Sequence, residues 1–252
     1  MIFQIELAER IIEIHSMYMD VYDMCYPYII NRRFHDQPDI VIETILPDLE
    51  YEKELVRITE QKTNNESIVY SPGILETASV NRKLSTALLS YDTFLMHGSV
   101  VSTDGQGFMI TAASGVGKTT RTDLWIKNIP GSIVVNGDKP FIRIAEKAVY
   151  VYGTPWCGKE GWNNNVRVPL HSVFILERAD DEADSVKRLS FGEAFMAFYQ
   201  QVYRPQNSGD MIKTLHLLKA MEGKVNFYRF RSKPTAESIQ LAYDTACSDG
   251  NN

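Results

Sequence analysis

Cysteine is nearly missing from this chain: Cys25, Cys157 and Cys247 are the only three in 252 residues, far apart and with no C-x-x-C pair. So odd and sparse a set excludes a disulfide framework and a cysteine-rich zinc site, and it suits a reducing compartment. Long apolar runs are missing too, since none nears the roughly eighteen residues that a membrane span requires. No repeat or low-complexity block occurs. Basic charge is not in excess: a net charge of −6 argues against a broad nucleic-acid footprint, though not against a small basic pocket. The opening MIFQIELAERIIEI interleaves acids with apolar residues instead of giving a basic start and a long apolar core, so no secretory leader is expected. These absences together point to a cytoplasmic protein with neither a nucleic-acid nor a membrane partner.

What is present is ordinary globular material, 44 % hydrophobic and 23 % charged, in a length that suits one large domain or one domain with a smaller companion. Residues 1–72 read as a β-rich, irregular segment, with short apolar runs at 39–45 and 67–70 and a polar turn at 61–67. The pattern changes at Pro72-Gly73, and 73–252 reads as a second domain. Apolar residues from Ile74 to Tyr91 fall near helical spacing. HGSVV (97–101) and FMITA (108–112) read as strands around a turn on Asp104-Gly105, a strong hairpin signal. A two-residue turn there pairs Thr103 with Gln106 and sets His97 opposite Ala112. Further along come a helix over 119–128, a buried strand at 132–136, a hairpin of 141–145 with 148–152 and a strand at 172–177. The last third is mainly helical, with a capping box at Ser190–Glu193, a strand at 225–231 and a final helix near Pro234. The fold class is α/β or α+β around one principal sheet.

The segment ITAASGVGKTTRTDLWI (110–126) carries the main chemical signal. The phosphate-cradling loop is written G-x-x-x-x-G-K-[ST], and Gly117, Lys118 and Thr119 fill its last three places. Such a loop works because successive amides and a helix N-terminus converge on an anion. Ala113, Ser114, Gly115, Val116, Gly117, Lys118, Thr119 and Thr120 are therefore the candidate nucleotide-binding residues. Ala112 stands where the first glycine is usual, which is tolerable if its φ stays negative. Asp138 ends the next strand, where a carboxylate reaches Mg²⁺; the alternative is a turn aspartate in Asn-Gly-Asp. His97 is a catalytic candidate through the hairpin register, and a structural histidine otherwise. The stretch YGTPWCGKEGWNNN (152–165) makes neither strand nor helix. Lys159, and Arg167 just beyond it, are candidates for phosphate or acidic-substrate contact, against the alternative of a solvated loop. Cys157 is assigned no chemistry.

The run HGSVV–STDGQG–FMITAASGVGKTT, followed by VVNGD, resembles the catalytic domain of bacterial HPr kinase/phosphorylase and its relatives. In that family a His-containing strand, a hairpin, a loop G-x-S-G-x-G-K-[ST] and an acidic pair follow in this order. The resemblance covers about residues 91–145, with Ser114, Gly115, Gly117 and Lys118 all matching, and GTPWCGK (153–159) looks like a motif of uncharacterised relatives. It implies a P-loop fold of the phosphoenolpyruvate carboxykinase/HPr kinase type, with a β-rich N-terminal segment and a helical C-terminal third. The implied activity is phosphorylation of a serine hydroxyl, with ATP and Mg²⁺ as cofactors. By the same resemblance Lys118 and the loop amides hold the β- and γ-phosphates, Thr119 helps to hold Mg²⁺, His97 lies near the moving phosphoryl group and Asp138 is the second acid. Gly137 stands in place of the first acid. The first 90 or so residues do not resemble the full-length kinase, so its target HPr is not carried over. The partner is then a nucleotide with a serine-bearing protein, peptide or small molecule, and a homo-oligomer stays open. A nucleotide-binding regulator without transfer activity is the rival reading.

Overall fold

The computed structural model describes residues 1–30, 37–63, 69–180 and 183–249. The expected run at 67–70 and turn at 61–67 fall partly outside these: 64–68 are not described, while 61–63 continue a helix. The chain divides into two compact units, Met1–Leu88 and Leu89–Asn252. The sequence reading divides it after residue 72, whereas here the helix that follows goes with the first unit.

In the first unit, β1 (Ile2–Leu7) and β2 (Arg10–His15) form an antiparallel hairpin, and β3 (Ile40–Glu43) pairs parallel to β2. Alternate residues Ile12, Ile14, Ile40 and Ile42 are buried, the period-two pattern of a sheet with one covered face. The helices are α1 (Met19–Cys25), α2 (Leu46–Thr63) and α3 (Pro72–Ala87). The 18-residue α2 stands where the sequence reading has only irregular chain. Its Leu, Glu, Lys, Arg and Gln residues are good helix formers, but its apolar positions are too few to mark a face. Glu76 of α3, fully buried, accepts the amides of Met17 (2.6 Å) and Tyr18 (2.8 Å) and the hydroxyl of Thr44, tying α3 to the entry of α1 and to the end of β3.

The second unit is built on one nine-stranded sheet. Its strands are β4 (Thr93–Leu95), β5 (Ser99–Thr103), β6 (Gln106–Thr111), β7 (Ile133–Asn136), β8 (Phe141–Ile144), β9 (Val149–Tyr152), β10 (Arg167–Arg178), β11 (Ser185–Leu189) and β12 (Asn226–Ser232). The order β4-β8-β9-β10-β6-β5-β7 leaves β12 beside β10, with β11 beyond it. Helices cover both faces: α4 (Lys118–Asn128), α5 (Phe191–Tyr199), α6 (Ser208–Lys219) and α7 (Ala236–Asp249). Alternation along the strands feeds two cores. Val100, Met109, Val173 and Phe227 pack with Phe198 and Leu218, while Val101, Phe108, Phe174 and Tyr228 pack with Trp125 and Ile239. The sheet is mixed, and β10 runs parallel to both β6 and β12.

The Asp104-Gly105 hairpin is as expected: Thr103 pairs with Gln106, and both turn residues have positive φ, at 51° and 74°. The strand-loop-helix-strand run differs from a simple βαβ unit. Chain order is β6, α4, β7, but β5 lies between β6 and β7 and is antiparallel to both. The crossover therefore spans the hairpin's own first arm. The capping box at Ser190–Glu193 forms as expected and opens a helix that ends at Tyr199.

Candidate functional site

The loop between β6 and α4 sits on a rigid base. Trp125 on α4 is fully buried, and its Nε1 donates to Thr103 Oγ1 on β5 at 3.1 Å. The hydroxyls of Ser99 and Thr122 meet at 2.6 Å. Those contacts fix the helix so that its first turn opens toward the loop. Gly115 and Gly117 have φ of 77° and 115°, conformations that glycine adopts without strain. A Cβ at Gly117 would overlap the Arg121 guanidinium. Ala112 is not among the positive-φ residues, so alanine is tolerated where a glycine is usual.

α4 begins at Gly117 with no side-chain cap. Among the described residues, the amides of Ser114, Gly115 and Gly117 donate to no backbone carbonyl. The first amides of any helix likewise have no partner within it. Lys118 is only 9 % exposed, and its Nζ turns back to Ala112 O at 3.0 Å. Burial holds its pKa below the ordinary lysine range, while the Asp138 charge pulls the other way. Ala113, Ser114, Thr119 and Thr120 are exposed along the loop and first turn, and Val116 is half-buried.

At the end of β7, Asn136 shapes the turn that presents Asp138. Its buried Oδ1 accepts the amides of Asp138 (2.9 Å) and Lys139 (2.7 Å), and its Nδ2 donates to Thr154 O (3.0 Å) and Oγ1 (3.1 Å). Thr154 Oγ1 in turn donates to Lys139 O at 2.8 Å. His97 Nε2 lies 3.3 Å from Asp138 Oδ1, and the Gly98 amide donates to Asp138 O at 2.8 Å. Gln201 holds the far side of the imidazole: its Oε1 is 3.0 Å from His97 Nδ1, and its carbonyl accepts the His97 amide at 2.8 Å. Burial pushes the Asp138 carboxyl up, but the His97 hydrogen bond and the charges of Lys139, His97 and Lys118 outweigh it and hold the group below the usual carboxylate range. Hairpin, loop helix and β7 turn thus bring His97, Lys118 and Asp138 to one place.

No protein-family model matches the chain, and no curated protein matches it. Among solved structures, it is similar to the HPr(Ser) kinase/phosphatase from Coxiella burnetii, with a TM-score of 0.37 and 11 % sequence identity over 62 % of this chain and 93 % of that one. So weak a likeness carries no residue roles.

The stretch after β9 proves to be an edge cover. Trp162 O accepts the Gly137 amide at 2.8 Å, and Asn164 takes Val135 O at 3.1 Å through its amide and Val134 O at 2.6 Å through Nδ2. These bonds occupy the outer edge of β7, which would otherwise stand unpaired. The cover lies so close that a Cβ on Gly137 would come within 2.7 Å of Cys157 O, so no side chain stands at 137. A carbon built on Gly158 would be 3.3 Å from Asp138 Cβ, so the stretch passes close beside Asp138. Cys157 is buried and accepts from Asn163 Nδ2 at 3.0 Å. Lys159 is exposed, next to Gly158. Arg167, also exposed, lies at the start of β10 with its guanidinium 4.7 Å from the Tyr150 ring centre.

Among the described residues no group of three or more His, Cys, Asp or Glu is placed to hold a metal. Mg²⁺ binds through one or two carboxylates with phosphates and water rather than in a protein cage. An ionised Asp138 and the exposed Thr119 hydroxyl are hard oxygen donors of the right kind. Sequence reasoning missed Asn136, Thr154 and Gln201. Asn136 had a usable signal, because Asn before Gly-Asp favours a side-chain-to-backbone turn. Gln201 had none, being 104 positions from His97.

Proposed function

We propose that residues 89–252 form an ATP/Mg²⁺-dependent phosphotransferase acting on a serine hydroxyl of a protein, a peptide or a small molecule. One observation carries the reading: an uncapped helix N-terminus with glycine-shaped amides lies next to Lys118 and the His97–Asp138 pair. Phosphoryl transfer needs position and charge neutralisation more than covalent chemistry. The amides of 113–119 and Lys118 hold the β- and γ-phosphates. Thr119 and Asp138 would hold Mg²⁺, which when bound would supply charge neutralisation for those phosphates. Asp138 faces the incoming hydroxyl and either accepts its proton or holds the metal as the γ-phosphorus leaves the β–γ bridging oxygen for the hydroxyl oxygen, which loses its proton to Asp138 or to water. His97, fixed by Gln201, offsets charge on the moving group. Three free thiols fit a cytoplasmic setting.

A second reading is a nucleotide-binding regulator without transfer. It is favoured by the packing at Gly137, where Cys157 O leaves no room for another acid. Calorimetry with Mg·ATP and an unreactive analogue, followed by ³²P transfer to proteins and peptides of the native host, separates the readings. The kinase predicts binding and a labelled product. Asp138→Asn should lose transfer at least a hundredfold while keeping most nucleotide affinity, and Lys118→Ala should lose both. Binding without any labelled product supports the regulator, and no binding removes both.

A further inference from the structure

Beside the phosphate loop, on the side of Arg121, lies a cleft of about 400 Å³ whose walls include Gly117, Thr120, Arg121, Arg178, Asp180 and Lys233. That volume is in the range of small-molecule sites. Two guanidinium groups dominate it. Arg121, on the first turn of α4, is 4 % exposed; its Nη2 donates to Ser232 O at 2.6 Å and its Nε to Ser232 Oγ at 3.3 Å. Its Nη1, which donates to no described residue, lies against Gly117 at the loop's edge. Arg178, at the end of β10, reaches the loop from outside and donates to Gly115 O (2.6 Å) and Val116 O (3.5 Å).

Two like charges in one cleft are costly. Burial first, and then the neighbouring Arg178, hold the Arg121 pKa below its ordinary value; Asp184 opposes this without cancelling it. Neither guanidinium forms an ion pair with a carboxylate of the described residues. Buried arginines normally have an anionic partner, because the desolvation of a charge is otherwise uncompensated. Here, among the described residues, the buried Arg121 and the exposed Arg178 face an open cleft against the glycine loop with no carboxylate bound to either. Lys118, three residues before Arg121, turns instead toward Ala112 O and Asp138. The loop therefore has a cationic group on each side.

We propose that this cleft is the nucleoside end of the nucleotide site: Arg121 and Arg178 hold the α-phosphate, and the base lies toward Lys233 and Pro234. A polyphosphate laid across the loop then runs from the arginines to Lys118, which directs its terminal phosphate at Asp138 and His97. Guanidinium forks suit this task, since they match phosphate oxygens two at a time. The ligand class is a nucleoside di- or triphosphate, bound more tightly than a bare polyphosphate of the same charge. The inference rests on the nucleotide reading above and adds the direction in which the nucleotide lies.

The test is calorimetry on the full chain with Mg²⁺ and either ADP or inorganic pyrophosphate, comparing the native protein with Arg178→Gln. One charge-assisted bond to phosphate contributes about a factor of ten or more in affinity. ADP affinity should fall about tenfold in the variant, and pyrophosphate affinity should stay within about twofold. Unchanged ADP affinity, or an equal loss for both probes, would overturn the proposal; the equal loss would show that Arg178 only props the loop. Should Arg178→Gln not fold, Arg178→Lys is read the same way, with a smaller loss of about threefold for ADP alone. Failure of the native protein to bind either probe would overturn the nucleotide reading itself, a result distinct from the others.

Discussion

Helix α1 in the first unit and helix α4 in the second both begin without a side-chain cap from their own first residue. Their entries are satisfied in different ways. The amides of Met17 and Tyr18, leading into α1, go to the buried carboxylate of Glu76, which also takes the Thr44 hydroxyl. The loop leading into α4 has no carboxylate, and in place of one it has two left-handed glycines and a buried lysine. A helix start that serves folding alone is closed from within the chain, because an unpaired buried donor costs free energy. One that serves binding is left open toward an anion brought from outside.

The largest effect expected from breaking this contrast is at Glu76. Glu76→Leu removes the acceptor for two amides and a hydroxyl, and should destabilise the first unit by roughly 3 kcal/mol, read from urea unfolding. Nucleotide affinity measured under native conditions should not change. An unaltered urea midpoint would mean that α1 needs no partner for its entry.

A smaller effect is expected at Asn136. Asn136→Ala frees the amides of Asp138 and Lys139 and loosens Thr154. Misplacing a reacting group by about 1 Å can cost on the order of a hundredfold in rate. Transfer should therefore fall by ten- to a hundredfold, while the affinity for an unreactive ATP analogue stays within about twofold. Equal losses in both would show that the turn shapes the phosphate loop rather than Asp138.

The smallest effect concerns Asp48, near the start of α2. Burial raises its pKa, but hydrogen bonds from Lys83 and the Ile45 amide, with the charges of Lys83 and Arg82, hold it below the ordinary carboxylate range. The native value therefore lies under the unfolded one, about 3.9. Its contribution to stability is fully present above that pH and is lost as pH falls through the native value. Asp48→Asn should flatten the decline of the urea midpoint below about pH 4. Parallel curves for native protein and variant would remove Asp48 from the acid response.

Local signals were the legible ones. Asp104-Gly105 marked the hairpin and its register, Ser190–Glu193 marked a capped helix, and Gly115 and Gly117 occupy the two left-handed positions of the loop. What lay beyond local reach was strand order and long-range support. Nothing near β5 shows that it inserts between β6 and β7, since pairing is decided by how whole faces bury. The second arginine of the cleft and the glutamine behind His97 are likewise brought in by the sheet from distant parts of the chain. The helix α2 was missed for another reason: its few apolar positions mark no face, although the helix propensity of its charged residues was there to be summed.

In the proposed function, the amides of the loop and of the first turn of α4 bind a polyphosphate. Amide hydrogen exchange over residues 113–121, with and without a Mg²⁺-bound unreactive ATP analogue, tests it most directly. Marked slowing is expected, confined to this loop and the adjoining arginine cleft, with none at the entry of α1, which Glu76 already closes. Unchanged exchange across 113–121 at saturating analogue would contradict it.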